Sequence, residues 1–398
     1  MRNRTFALLV SGRGFNQAGM VLYIVSLMHV IYAETASPFI MSLIPVTITG
    51  VRFLSSLIVP LLFQRVTLTR LLFIAQGTKV VLMLALLWAV PFAPVPVWFI
   101  VIGLLASFDA WADPCSYTLI PRIIDPSKRV AANSKAAVVN ETTEMGCWAL
   151  GGVLLAVTHS QFVLWIVLTV YTIAAVCFFI LMRRLPDVFA NEEGSTESFS
   201  STLKKGWVTI LQTRWLRHTT GISFFSSIIS VIWIAAILYV FTEEVLAVSE
   251  AWWGLLNASL FIGLMVAGIL LQRYDQFVQL YLARVVFVGF LGSAILTLLF
   301  SVNTVPVVAL ILMIGLGWFL QLENVGTQTI YQAKVEEGLL ANVYAAEHAL
   351  SMLAFGVGSL LVGIIAELVD IRLLYLVGAF ILFAVALWWR HTFSREII

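Results

Sequence analysis

Twelve apolar runs, each long enough to cross a bilayer, follow one another along this chain. They lie near 6–31, 37–63, 70–92, 96–120, 135–158, 161–182, 219–241, 252–272, 284–302, 304–331, 340–366 and 372–389. A hydrocarbon core needs ~20 apolar residues per helical span. Lipid offers no hydrogen bonds, so a spanning segment must satisfy its own backbone, as a helix does. Composition agrees. The 398 residues are 61% hydrophobic and 11% charged, with a mean hydropathy of +1.00. A soluble domain carries about 25% charged residues, so here lipid is the outer solvent. The first run follows MRNRTFALLV without a small-residue cleavage site, which predicts a retained first helix.

Between the sixth and seventh runs lies the one long polar stretch, 183–217, with a short amphipathic helix expected near 203–211. The expected organisation is therefore an N-terminal six-helix bundle (1–182), a linker (183–217) and a C-terminal six-helix bundle (218–398). Of 23 Lys and Arg, only Arg372 falls in a loop on the far side, and Arg13, Arg52 and Lys79 fall inside spans. That asymmetry places both termini and the linker in the cytoplasm of a multi-pass protein of the cell membrane. Trp252, Trp253, Trp388 and Trp389 sit at span ends and read as interfacial belts.

The two halves repeat. Leu61-Leu62-Phe63-Gln64-Arg65 pairs with Ile269-Leu270-Leu271-Gln272-Arg273 at an offset of 208, and the stretch from Thr118 pairs with that from Thr329 at 211. Parallel repeats of this kind mark carriers whose substrate site lies at the repeat interface, near the midplane. A cavity between the halves is expected, lined by the first, second, fourth, fifth, seventh, eighth, tenth and eleventh helices.

The segment Pro114 to Gly152 holds a late proline in the fourth span, LIPRIID, a basic turn, Ala131-Ala132-Asn133 and the pair Gly151-Gly152. In these residues the chain resembles the major facilitator superfamily, and within it the drug-efflux branch that includes macrolide exporters. The resemblance implies an all-α membrane protein: twelve transmembrane helices as two six-helix pseudo-symmetric bundles. The family's gating loop maps onto Gln64, Arg65 and Arg70, and in the second half onto Gln272 and Arg273. Its glycine and aspartate are replaced here, at Pro60 and Gln64. The antiporter motif of the fifth helix keeps Gly151 and Gly152 but reads Cys147-Trp148 where the family has Gly-Pro.

Charges inside hydrocarbon are costly and face a cavity or a partner. Arg13, Lys79, Asp113 and Glu144 each lie nine residues from the nearest cytoplasmic basic residue, about 13 Å deep at ~1.5 Å per residue. Arg52 and Asp109 lie as deep or deeper, and Glu141 one turn shallower than Glu144. The structural reading is a buried ion-pair network, for which Lys79 is the leading member. The functional reading puts Arg13 and Arg52 in the cavity with Asn16, Gln17, Trp111, Trp148 and Asn324. The C-terminal half has Glu323 but no Lys or Arg within its spans. Glu323 either meets Arg13 or Arg52 across the cavity or is held protonated; otherwise it bonds Asn324, Gln321 or Thr327. Glu323, Asp113, Asp109, Glu144 and Glu141 are the candidate proton-coupling carboxylates.

No GxxxxGK[ST] loop points to ATP, and no HExxH or nucleophile elbow points to an enzyme. Cys115, Cys147 and Cys177 lack metal-ligand spacing, and no basic tract suggests nucleic acid. No cofactor is expected, and the expected state is a monomer. Three readings remain. The first is proton-coupled export of amphipathic small molecules. The second is a carrier for an anionic metabolite or lipid held by Arg13 and Arg52. The third is a transporter-derived sensor without flux.

Overall fold

The computed structural model of the chain describes residues 2–35, 38–63, 65–89, 94–185, 199–233, 235–248, 251–366 and 368–393. Each expected span is helical: α1 Arg2–Thr35, α2 Pro38–Ile58, α3 Leu68–Ala89, α4 Val95–Ile123, α5 Arg129–Val157 and α6 Ser160–Arg184. In the second half, α7 starts at Arg214, followed by α8 Ala251–Arg273, α9 Leu282–Val302, α10 Pro306–Lys334, α11 Glu337–Ala366 and α12 Ile371–Phe393. Ten of these are long and apolar enough to cross a membrane, and the broken α7 makes eleven. The more polar α5 is 29 residues long, about 43 Å at ~1.5 Å per residue. The linker contributes a helix over Phe199–Gln212.

Prolines punctuate these helices as their missing N–H requires. Pro306 opens α10, and Pro60 begins a separate turn, Pro60–Phe63, after α2 ends. Pro114 and Pro121 lie inside α4, where Thr118 Oγ1 donates back to the Pro114 carbonyl at 2.7 Å.

α7 is broken differently. An α-helical stretch, Arg214–Ser230, passes through a 3-10 turn at Val231–Trp233 to Ala235–Val240, then widens into a π turn at Phe241–Val245. The Tyr375 hydroxyl donates to the Ile232 carbonyl at 2.8 Å. Trp233, Phe241, Phe300 and Tyr375 pack around the break with ring centroids 4.5–5.1 Å apart.

The chain forms two compact units. The first comprises Met1–Ile124, Thr142–Trp207 and Val335–Ala349; the second comprises Asp125–Glu141, Val208–Lys334 and Leu350–Ile398. Three helices therefore change unit part-way: α5 near Glu141, the linker helix near Trp207 and α11 near Ala349. Leu22, Tyr23, Leu27, Ile48, Trp98, Leu105 and Tyr171 belong to the core of the first unit. In the second, α8 and α10 touch backbone to backbone. A Cβ at Gly263 would collide with the Ile314 carbonyl, and one at Gly317 with the Leu260 carbonyl. Glycine is what lets these helices approach so closely.

One reading of the aromatics is corrected. Trp389 is 1% exposed, its indole N–H donates to the Ala283 carbonyl at 2.9 Å, and its ring stacks on Phe393. It is a core residue of the second unit rather than part of an interfacial belt. The grouped glycines also divide. Gly358 lies against the Ile228 backbone and Gly151 against Val25, whereas Gly146, Gly356 and Gly363 face open space.

Candidate functional site

The deep charges of the first unit come from five helices, α1 to α5. Lys79 on α3 donates to Asp109 on α4 at 2.6 Å and to Asn16 on α1, and it lies 4.7 Å from the Tyr171 ring centre on α6. Both members of this ion pair are 1% exposed. Arg13 on α1 donates to Asp113, one turn beyond Asp109, at 2.9 Å, with its guanidinium 4.6 Å from the Tyr117 ring centre. This second pair is open, with side chains 15% and 36% exposed. Asp109 and Asp113 share a face of α4 at i, i+4, yet they serve different cations in different surroundings.

Buried ion pairs gain little net stability because desolvation offsets attraction, while breaking one is expensive. The sealed Lys79–Asp109 pair matches a structural fastener, as the sequence suggested for Lys79. It also engages Asn16, and it holds Asp109 in a closed contact. The Arg13–Asp113 pair can exchange its partners with whatever reaches it. Glu144 on α5 accepts from the Gln17 amide at 3.0 Å. Trp111 donates to the Ser55 hydroxyl at 3.0 Å and packs edge-on against Phe108.

Arg52 on α2 is the exception. Among the described residues its one hydrogen bond is from Nη2 to the Met20 sulfur at 3.4 Å, and its Nε is buried without a partner. It forms no ion pair among the described residues. It nonetheless lies within electrostatic reach of Asp113, Glu144 and Lys79.

In the second unit, α10 carries unspent polar atoms along its length. Glu323 has a buried Oε2 with no partner and forms no ion pair among the described residues. Gln321, fully buried, has neither amide end bonded, and Thr327 Oγ1 is likewise unpartnered. None of the neutral partners expected for Glu323 holds it, and Asn324 is exposed. Lower on α10, Asn133 of α5 and Gln332 exchange amide hydrogen bonds at 2.9 and 3.1 Å, and Asn133 also donates to Thr329 at 2.9 Å. All three side chains are buried. Glu141 is half-buried in the second unit, and Trp148, in the first, is 44% exposed.

Arg65, Arg70, Gln272 and Arg273 are exposed, and Gln64 lies outside the described residues. Sequence reasoning did not place Tyr117, Met20, Ser55 or Gln332 at the site. Neutral side chains cost far less to bury than charges do, so nothing in the sequence singles them out. Among the described residues, no group of His, Cys, Asp and Glu has the arrangement to hold a metal ion.

Residues 9–346 match the family model described as Major Facilitator Superfamily. An uncharacterized MFS-type transporter, YfmI of Bacillus subtilis (strain 168), is 26% identical over 93% of this chain and 92% of its own length. Among solved structures, the human organic anion transporter MFSD10 (TETRAN) superposes with a TM-score of 0.79 at 11% identity, over 98% of this chain and 99% of that one. The transporter FucP in the outward conformation gives 0.78 at 13% identity, over 97% and 98%. At such identities these two likenesses establish the fold alone.

Proposed function

Since the chain belongs to the Major Facilitator Superfamily, we propose that it is a proton-coupled secondary transporter exporting amphipathic small molecules, with Glu323 as the proton-binding group. The observation that carries this reading is the unpartnered, buried oxygen of Glu323. An isolated ionised carboxylate in a low-dielectric setting is costly, and taking up a proton removes the charge. Intramembrane carboxylates of this kind mark proton relays. A proton drives transport only if it binds one conformation better than the other, so Glu323 must change its surroundings during the cycle. Export follows the resemblance to the efflux branch through Pro114 to Gly152.

The test is pH-gradient-driven accumulation in proteoliposomes, with cationic dyes, macrolides and organic anions as substrates. Glu323→Gln is expected to abolish accumulation while sparing substrate binding and exchange without a gradient. Asp113→Asn is tested beside it, because Asp113 is a deep carboxylate of the first unit that is 36% exposed. Wild-type accumulation by Glu323→Gln refutes the assignment. A wild-type chain that moves none of these compounds supports the sensor reading instead.

A further inference from the structure

We propose that Arg52 recognises an anionic head group, a carboxylate or sulfonate, on the molecule carried. This assigns a substrate class, an amphipathic anion, and rests on the transport reading above but not on the identity of the proton site. The first unit holds three cations deep in its spans, and two are spent: Lys79 on Asp109 and Arg13 on Asp113. Among the described residues Arg52 has only the Met20 sulfur as a hydrogen-bond partner, and a thioether is a weak acceptor. Its buried Nε has no hydrogen-bond partner among the described residues. A guanidinium presents donors in a planar fork that matches a carboxylate or similar oxyanion two bonds at a time.

The neighbouring carboxylates do not close that fork. Asp113 is bonded to Arg13, and Glu144 to the neutral Gln17 amide. Both lie within electrostatic reach of Arg52 without pairing to it. The surroundings also suit the rest of an amphipathic molecule. Ser55, one turn after Arg52 on α2, takes up the indole N–H of Trp111, so the polar edge of that indole is already satisfied. A cation with open donors near an aromatic side chain is the minimal complement of an aromatic anion.

The purified chain in nanodiscs is tested by thermal stabilisation, with no pH gradient, against 2-naphthoate, naphthalene-2-sulfonate and 2-naphthylmethylammonium at equal concentrations. Both anions are expected to stabilise the wild type, and the cation is not. Arg52→Gln is expected to weaken anion binding about tenfold or more, the loss of at least ~1.4 kcal/mol. Arg52→Lys keeps the charge without the fork and retains part of the response. Met20→Leu releases the sulfur contact and keeps anion binding at or above the wild-type level. It decides the matter if Arg52→Gln fails to fold. Stabilisation by the cation alone, by none of the three, or equally in wild type and Arg52→Gln overturns the proposal. So does loss of the anion response in Met20→Leu with its unliganded stability unchanged. Failure of proton coupling appears only in the gradient-driven assay of Glu323→Gln, so the two assignments fail separately.

Discussion

Replacing Lys79 by Met strands a carboxylate in the core of the first unit. Asp109 is 1% exposed in its side chain, receives Lys79 at 2.6 Å, and has its second oxygen unbonded. Removing one partner of such a pair costs roughly 3–5 kcal/mol, because the remaining charge is left without compensation. The two single variants should differ. Lys79→Met leaves Asp109 with no other donor among the described residues, so it falls at the upper end of that range. Asp109→Asn leaves the ammonium held by Asn16 and the Tyr171 ring, and falls at the lower end. Replacing both residues, as Lys79→Met with Asp109→Leu, removes the charges together and should return stability close to wild type. Unfolding in mixed SDS micelles measures all three. If the double variant loses the sum of the two single losses, the residues do not act as a pair and the reasoning fails. The double variant should also keep gradient-driven accumulation, since a fastener carries no proton.

The amide clasp of the second unit behaves similarly without charge. Asn133→Leu removes both amide hydrogen bonds to the buried Gln332 side chain and should cost on the order of 1–3 kcal/mol. Adding Gln332→Leu should cost less than it does alone, and strict additivity in the same unfolding assay would count against the clasp. Orientation is checked by protease added to right-side-out vesicles. The 183–217 linker should survive intact, and cleavage there would invert the topology drawn from the Lys and Arg distribution.

Span positions were legible because lipid imposes a length and a composition at once, and the twelve runs show both. The break in α7 was not, because no proline or glycine marks Val231–Trp233. It is stabilised from outside, by Tyr375 on the Ile232 carbonyl and by packed aromatic rings. Trp389 was misread because a tryptophan at a span end looks the same whether its N–H meets head groups or the Ala283 carbonyl. Depth counting singled out Arg13, Arg52, Lys79, Asp109, Asp113 and Glu144, since burial of charge is costly enough to be visible in one sequence. Which cation meets which acid depends on how α1, α3 and α4 rotate against one another. Helical spacing placed Asp109 and Asp113 on one face and said nothing about that.

Solvent access, more than chemical type, separates the roles of these groups. Lys79–Asp109 and Arg13–Asp113 are the same kind of pair, one turn apart along α4. The first is sealed, so its members cannot change partners unless the helices around them part. The second is open: Asp113 is 36% exposed, Arg13 keeps one buried nitrogen unbonded, and Arg52 stands within electrostatic reach with its own fork unfilled. Under the proposed assignment of Arg52, an anion arriving there would compete with Asp113 for positive charge, and a proton arriving at Asp113 would release Arg13 to a new acceptor. Each event alters the free energy of the other, which is the form that coupling between two ligands must take. The sealed pair gives that exchange a fixed frame, and Arg52 and Asp113 are the points at which substitution separates its two halves.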